Sequence, residues 1–211
     1  NSVNLNFIEK NFNFLNRVDF KYIINFHNLP LFLLDLQKDY KVLEINNNRI
    51  FTYDNKYFDT EDHIMYMHHH NGKLVRYKIR IRNYIETSLK YLEIKQKTYN
   101  SKCIKYRLKL DESVKEETIR NFIENHSPYT QDQLFETLNT QFKRITLVNE
   151  QFIHRLTIDF KLIFKNSNIF YLPEIGIIEI KSLHNNNNGL IKDLVNKYFL
   201  KYKWLLLLGI I

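Results

Sequence analysis

Cysteine, glycine and proline are scarce: the 211 residues include 1 Cys, 4 Gly and 3 Pro. The lone Cys103 excludes an internal disulfide, and with it the small stapled scaffolds of secreted proteins. So little Gly and Pro excludes collagen-like repeats and interdomain linkers, and predicts few, tight loops. Solenoid-length repeats are absent as well. No segment combines a charged start, an apolar run and a small-residue cleavage site, so no signal peptide is expected. The longest apolar end segment, Trp204 to Ile211, is far shorter than the roughly 20 residues of a membrane-spanning helix. Together these features fit a reducing cytoplasm. The first residue is Asn1 rather than Met, which leaves room for an upstream leader.

Enough apolar material is present for a core: 44% of residues are hydrophobic, 15% are aromatic and 26% are charged. Such a chain is not a disordered basic tail, and its length predicts a single domain over residues 1–211. The net charge of +8 points to an anionic partner.

Period-two alternation of apolar and charged residues predicts strands over Arg17 to Tyr22, Tyr77 to Tyr84, Tyr91 to Lys97, Ile104 to Leu110, Arg155 to Leu162 and Ile177 to Lys181. Thr52 to Thr60 and Phe142 to Val148 are weaker candidates. Asn71-Gly72, between Ile64 to His70 and Lys73 to Tyr84, predicts a two-residue hairpin turn, since both central residues must accept positive φ. Helices are expected over Pro30 to Leu43, Ser113 to Asn125, Thr130 to Leu138 and Gly189 to Tyr202. Ser113 with Glu116 forms a candidate capping box, and Pro30 suits a first helical turn. The Asn46 to Asn48 and Asn185 to Asn188 runs read as loops.

In each of the six clear strands one face is apolar and the other charged. The charged faces carry Arg17, Asp19 and Lys21; Lys78, Arg80 and Arg82; Glu93, Lys95 and Lys97; Lys105, Arg107 and Lys109; Arg155, Asp159 and Lys161; Glu179 and Lys181. Of the 31 basic and 23 acidic residues, 13 and 4 lie on these faces, leaving 18 against 19 elsewhere. The whole positive excess therefore sits on strand faces. One such strand is ordinarily a solvated edge of an antiparallel sheet. Six together crowd like charges side by side, which destabilises a sheet unless a polyanion is bound. A sheet closed into a barrel, with charged faces inward and helices on the apolar outside, would focus this field on a tunnel suited to phosphate chains. Asp19, Glu93, Asp159 and Glu179 either pair with neighbouring cations or hold a divalent cation, with Glu179 the favoured ligand.

In this order the residues resemble a known family. Arg17-x-Asp19-x-Lys21-Tyr22, Tyr57-Phe58-Asp59-Thr60, Lys78-x-Arg80-x-Arg82-x-Tyr84, Glu93-x-Lys95-x-Lys97, Lys105-Tyr106-Arg107, Arg155-x-Thr157-x-Asp159, Glu179-x-Lys181 and Phe199-Leu200-Lys201-Tyr202 follow one another along nearly the whole chain. The set is similar to the triphosphate tunnel metalloenzymes (CYTH-like), specifically the polyphosphate polymerase (VTC) domain of fungi and its bacterial relatives. The resemblance implies an α+β protein whose closed antiparallel barrel of about eight strands binds ATP and a growing inorganic polyphosphate chain, with Mn2+ or Mg2+. It implies a catalytic set of Lys21, Arg80, Arg82 and Arg155, with Lys95, Lys97, Lys105, Arg107, Lys181 and Lys201 binding substrate and Glu179 ligating the metal. A membrane-protein partner that exports the chain would place the protein at the inner face of a membrane. Two departures stand out. Leu200 replaces the family's usual Ser before the last Lys-Tyr pair, removing one hydroxyl contact, and the tail Trp204 to Ile211 is unlike the usual ending.

The expected activity is transfer of the γ-phosphate of ATP to polyphosphate, by positioning and charge stabilisation, with a phosphate oxygen as nucleophile. One rival is a tunnel hydrolase of tripolyphosphate or thiamine triphosphate. Those enzymes open with two glutamates and a lysine at alternate positions, where this chain has Arg17, Asp19 and Lys21. Another is a non-catalytic polyanion-binding module. Nucleic-acid binders expose aromatics among the basic residues, whereas Phe20, Tyr22 and Tyr106 fall on the apolar phase and read as core, so no nucleic acid is expected. His68, His69 and His70 read as a solvated hairpin tip, Cys103 as incidental and Tyr84 as packing in the tunnel wall.

Overall fold

Strands form where the alternation predicts them. The computed structural model describes residues 1–11, 17–100, 102–149, 154–183 and 189–200, so the Asn185 to Asn188 run, Lys201 and the 204–211 tail lie outside the described residues. The chain runs β1 (Ser2–Val3), α1 (Leu5–Asn11), β2 (Arg17–Asn25), α2 (Leu29–Leu36), β3 (Tyr40–Leu43), β4 (Phe51–Asp59), α3 (Ile64–His70) and β5 (Arg76–Tyr84). It continues with β6 (Leu89–Lys97), β7 (Cys103–Lys109), α4 (Glu116–His126), β8 (Phe135–Asn149), β9 (His154–Lys165), β10 (Ile169–Leu172), β11 (Ile175–Leu183), α5 (Gly189–Tyr198) and β12 (Phe199–Leu200).

The elements fall into two compact units. The first comprises Asn1–Thr52, Phe142–Ile163 and Tyr171–Tyr202, and the second chiefly Tyr53–Gln141 with Phe164–Phe170. Hydrogen bonding runs β12-β2-β11-β9-β8 in the first and β8-β4-β5-β6-β7 in the second, with β8 contributing to both. The main pairings are antiparallel, and the short β1 to β3 pair is parallel. Among the described residues this order does not return on itself. The sheet is thus an open path where the sequence predicts a closed barrel, and its ends are β7 and a β12 of only two residues.

Each unit buries the apolar face of its strands under helices. In the first, Leu29, Phe32 and Leu36 recur along α2 at helical spacing and pack with Leu194 and Tyr198 of α5 against Leu156, Ile158, Ile178 and Ile180. In the second, Ile123 of α4 and Met65 of α3 pack on Ile79, Leu92 and Ile94, with Ile119 and Phe122 beside them. Full burial of each such aliphatic side chain contributes roughly 1.5–3 kcal/mol. The charged faces are left on the opposite side of the strands.

Several local expectations are overturned. Helix α2 ends at Leu36, and Tyr40–Leu43 is a strand, because Tyr40, Lys41 and Val42 pair with Asn149, Val148 and Leu147 of β8, while Leu43 pairs with Val3 of β1. Thr130 to Leu138 is a single 3-10 turn, Gln131–Gln133, closed by a Thr130 and Gln133 capping box before β8 begins at Phe135. Ser113 bonds to Asp111 instead of capping, and α4 starts at Glu116. Phe20 and Ile104 are exposed, at 42% and 40%, and so are not core.

The Asn71-Gly72 pair is a helix stop and not a hairpin. Ile64–His70 is helical, Asn71 has φ −79° and only Gly72 is left-handed, at φ 67°. The Gly72 N–H bonds to the His69 carbonyl and the Lys73 N–H to that of His68, the paired closure of a Schellman motif. The three histidines therefore form the last turn of α3. At its other end Asp59 Oδ1 accepts from the Thr60 and Met65 N–H groups at 2.8 and 2.9 Å, Oδ2 accepts from Tyr66 N–H at 2.8 Å, and Thr60 Oγ1 accepts from Ile64 N–H. Asp59→Ala should lower stability by about 2 kcal/mol through loss of this cap. Gly72→Ala, whose Cβ meets nothing within 4 Å, should lower it by about 1 kcal/mol through backbone strain alone. Urea denaturation checks both.

Candidate functional site

The register of β5, β6 and β7 assembles one strongly basic face in the second unit. Across the three strands Arg76 lies opposite Lys97, Lys78 opposite Lys95 and then Lys105, Arg80 opposite Glu93 and then Arg107, and Arg82 opposite Tyr91 and then Lys109. Nine basic residues and one carboxylate share this face. The lysine row is the severest crowding, because directly opposed side chains have Cβ atoms only about 4.5–5.5 Å apart and like charges there repel.

Glu93 organises the cluster. Its side chain is fully buried, and its two oxygens each receive an arginine fork. Arg80 Nε and Nη2 donate to Oε2 at 2.9 and 2.7 Å, while Arg107 Nε and Nη2 donate to Oε1 at 3.0 and 2.7 Å. Lys105 Nζ adds an ion pair to Oε1 at 2.5 Å. Burial pushes the Glu93 carboxyl up, but the surrounding cations, Arg80 first, overcome this and hold it well below the usual carboxylate range. One negative charge thus fixes three positive ones, and the local surplus remains positive.

Tyrosines complete the scaffold. Arg80 Nη1 donates to the Tyr57 hydroxyl at 3.1 Å, and Arg107 Nη2 donates to the Tyr84 hydroxyl at 3.3 Å. Arg82 and Arg107 stack over the Tyr53 and Tyr91 rings at 5.0 and 4.7 Å. Arg82 also donates from Nε to Asn55 Oδ1 at 2.6 Å, and Asn55 in turn donates to the carbonyl and hydroxyl of Thr140. Aromatics therefore do stand among the basic residues, contrary to expectation, but several lie against guanidinium groups. Tyr84 is part of this support. Tyr106, on the other face, stacks on His126 with centroids 4.0 Å apart.

The first unit carries a second charged face with nearly balanced signs. Glu179 lies between Lys21 on β2 and Thr157 on β9, and Lys181 between Asp19 and Arg155. Lys181 pairs with Glu179 at 2.9 Å and with Asp19 at 3.3 Å. Arg144, not singled out by the sequence, grips Asp159 with both prongs at 2.5 and 2.6 Å. Burial raises the Glu179 carboxyl, but Lys181, then Lys21 and Arg144, bring it down to about 2. Lys21 is exposed, and Lys161 stands apart at φ 53°.

Among the described residues no group of three or more His, Cys, Asp or Glu side chains is placed to hold a metal ion. The described residues alone therefore offer a partial coordination shell, of the kind used for a hard cation that arrives on phosphates. Glu179 fits that use. Its carboxyl is held low, among the described residues it is engaged through one oxygen, and it lies opposite the buried Thr157, whose hydroxyl has no hydrogen-bond partner among them.

Residues 16–202 match the VTC domain. The chain belongs to the VTC domain family. Solved structures that share the fold include the following two. A candidate adenylyl cyclase from Hippeastrum with a dominant triphosphatase activity is 12% identical, aligned over 92% of this chain and 95% of its own, with a TM-score of 0.51. A candidate adenylate cyclase from Vibrio parahaemolyticus is 11% identical, aligned over 86% and 87%, with a TM-score of 0.50. No curated protein matches the chain. Within this VTC domain the sequence-predicted residues divide between the two faces. Arg80, Arg82, Lys95, Lys97, Lys105 and Arg107 share one, Lys21, Arg155, Lys181 and Glu179 the other, and Lys201 lies outside the described residues. No described helix is long and apolar enough to cross a membrane.

Glu93→Gln should unfold the second unit more easily by about 3–5 kcal/mol, since it strands three cations around a neutral amide; denaturant titration measures this. Basic pH offers a second test. Burial raises the Tyr57 phenol, but Arg80, Arg82 and Lys78 pull it down to about 8 from an ordinary 10.0. Burial, with Arg107 and Arg80, lowers the Lys105 amine to about 8 from 10.5 despite Glu93. Between these values the unfolded chain holds protons that the folded one has released, so both groups make stability rise with pH above about 8. Tripolyphosphate affinity should fall over the same window, as positive charge leaves the face. A phenolate absorbance step near pH 8 that disappears in Tyr57→Phe would verify the assignment.

Proposed function

We propose that this VTC domain is a polyphosphate polymerase, an ATP:polyphosphate phosphotransferase that works as a single domain and extends the chain along a basic tunnel formed by the charged strand faces. The observation that carries this reading is the VTC match over residues 16–202, and the cation cluster on Glu93 supports it chemically. Guanidinium groups fixed by Glu93 and the tyrosines are preorganised for phosphate oxygens, so they need not reorganise as charge shifts during transfer.

Arg80 and Arg82 hold the γ-phosphoryl group, Lys21 and Arg155 steady the flanking phosphates, and Lys95, Lys97, Lys105, Arg107, Lys181 and Lys201 track the chain. A terminal oxygen of the polyphosphate attacks the γ-phosphorus as the bond to the β,γ-bridging oxygen breaks, releasing ADP and a chain longer by one unit. No side-chain nucleophile is required. Glu179 would hold the divalent cation, Mn2+ or Mg2+, which when bound neutralises phosphate charge. A cytoplasmic setting with a membrane partner for export accords with this chemistry.

A hydrolase of the same tunnel class is the second reading, favoured by the triphosphatase activity of the Hippeastrum protein that shares this fold. Incubation with ATP and Mn2+, followed by size separation of polyphosphate, decides between them. Long chains with ADP release are expected, and Lys21→Ala, Arg80→Ala and Glu179→Gln should each lower turnover at least about a hundredfold. Free phosphate from tripolyphosphate without chains would establish the hydrolase. Tight polyphosphate binding without turnover would leave a non-catalytic binding module.

A further inference from the structure

Thr157 is an anomaly on the charged face of the first unit. It is 5% exposed, and its hydroxyl has no hydrogen-bond partner among the described residues. A buried hydroxyl without a partner destabilises a fold, and a valine would occupy the same space in a strand without that penalty. The hydroxyl is therefore retained at the expense of stability. Its position suggests why. Thr157 is directly opposite Glu179 in the β9 to β11 register, and Lys21 is opposite Glu179 on the other side. The nearby carboxylates differ in what remains available to a ligand. Asp159 is taken by both prongs of Arg144, and Asp19 is exposed and paired with Lys181. Among the described residues, Glu179 is engaged through Oε2, by Lys181.

A phosphate oxygen placed directly between Glu179 and Thr157 would be repelled by the carboxylate. A hard divalent cation there meets a carboxylate and a hydroxyl oxygen from adjacent strands, and phosphate oxygens can fill the rest of its shell. Other phosphate-binding proteins hold Mg2+ with the same pair of donors, one Ser or Thr hydroxyl and one acidic side chain. We infer that Thr157 and Glu179 together form the protein's half of a divalent-cation site, completed only when a triphosphate is present. The inference rests on the reading that this face takes triphosphates, and adds Thr157 as a second ligand.

Thr157→Val and Thr157→Ser test it, with tripolyphosphate as the probe and Mn2+ as the cation. Calorimetry would follow tripolyphosphate binding with and without Mn2+, paramagnetic resonance the Mn2+ environment, and thermal melting the ligand-free proteins. Thr157→Val is expected to melt at the same temperature or about 2–4 °C higher. It should bind tripolyphosphate alone as the parent does, and lose at least about tenfold in affinity when Mn2+ is present. Thr157→Ser should keep the Mn2+ effect and the parent's resonance spectrum. A Thr157→Val protein that melts lower would show the hydroxyl to be structural and overturn the inference. Equal losses with and without Mn2+ would overturn it in favour of a hydrogen bond to phosphate. An unchanged variant beside a parent that binds Mn2+ and tripolyphosphate would remove Thr157 alone, whereas a parent that binds neither would remove the triphosphate reading as well.

Discussion

A fully buried carboxylate that receives two arginine forks and a lysine is the interaction on which the second unit's basic face depends. Without Glu93, the Arg80, Lys105 and Arg107 side chains would repel one another across adjacent strands, and each would swing toward solvent. With it, their positions are fixed while the sum of charge stays positive. A face that fully neutralised its cations would be more stable and would have little attraction for an anion. The single glutamate among nine basic residues sits between those limits.

The alternation of apolar and charged residues made the strands and their faces legible, because period two is a direct imprint of the pleat. Glu93, Lys105 and Arg107 could be placed on one face from sequence, but not joined, since contact between strands depends on register. Tyr84 falls in phase with Arg80 and Arg82 and could be placed in the wall from sequence, whereas the contacts of Tyr57 and Tyr91 with guanidinium groups could not, for the same reason of register. Phe20 and Ile104 misled, being on the apolar phase of strands yet exposed. Arg144 carried no signal, as its role arises only from Asp159 on the neighbouring strand. Helix lengths failed where tertiary pairing overrode propensity, as at Tyr40–Leu43, which pairs with β8.

The run Tyr57-Phe58-Asp59-Thr60 shows how a motif that reads as one unit divides in the fold. Tyr57 meets Arg80 on the charged face, and Phe58 packs into the core on the other. Asp59 and Thr60 bind the N-terminal N–H groups of α3. That helix brings Met65 onto Ile79 and Leu92, beneath the strand that carries Arg80. Four consecutive residues thus set the position of one arginine from both sides of the sheet, though only Tyr57 touches it. A search for catalytic groups along the motif would rank Asp59 first, and its geometry assigns it to helix capping.

The two charged faces differ in the way a division of labour would require. On β5 to β7 the cations greatly outnumber the single carboxylate, so this face is strongly positive and its guanidinium groups are held in fixed orientations. On β2, β11 and β9 the signs alternate closely, Lys21 with Glu179 and Asp19 with Lys181, so long-range attraction is weak. What this face offers instead is short-range oxygen ligation beside positive charge, the setting in which a cation can sit without being expelled. Had the carboxylates been spread evenly over both faces, each would weaken the phosphate field locally and neither would concentrate ligands for a metal. Their segregation keeps a strongly positive surface and a carboxylate-bearing one apart on the same chain, so that neither neutralises the other.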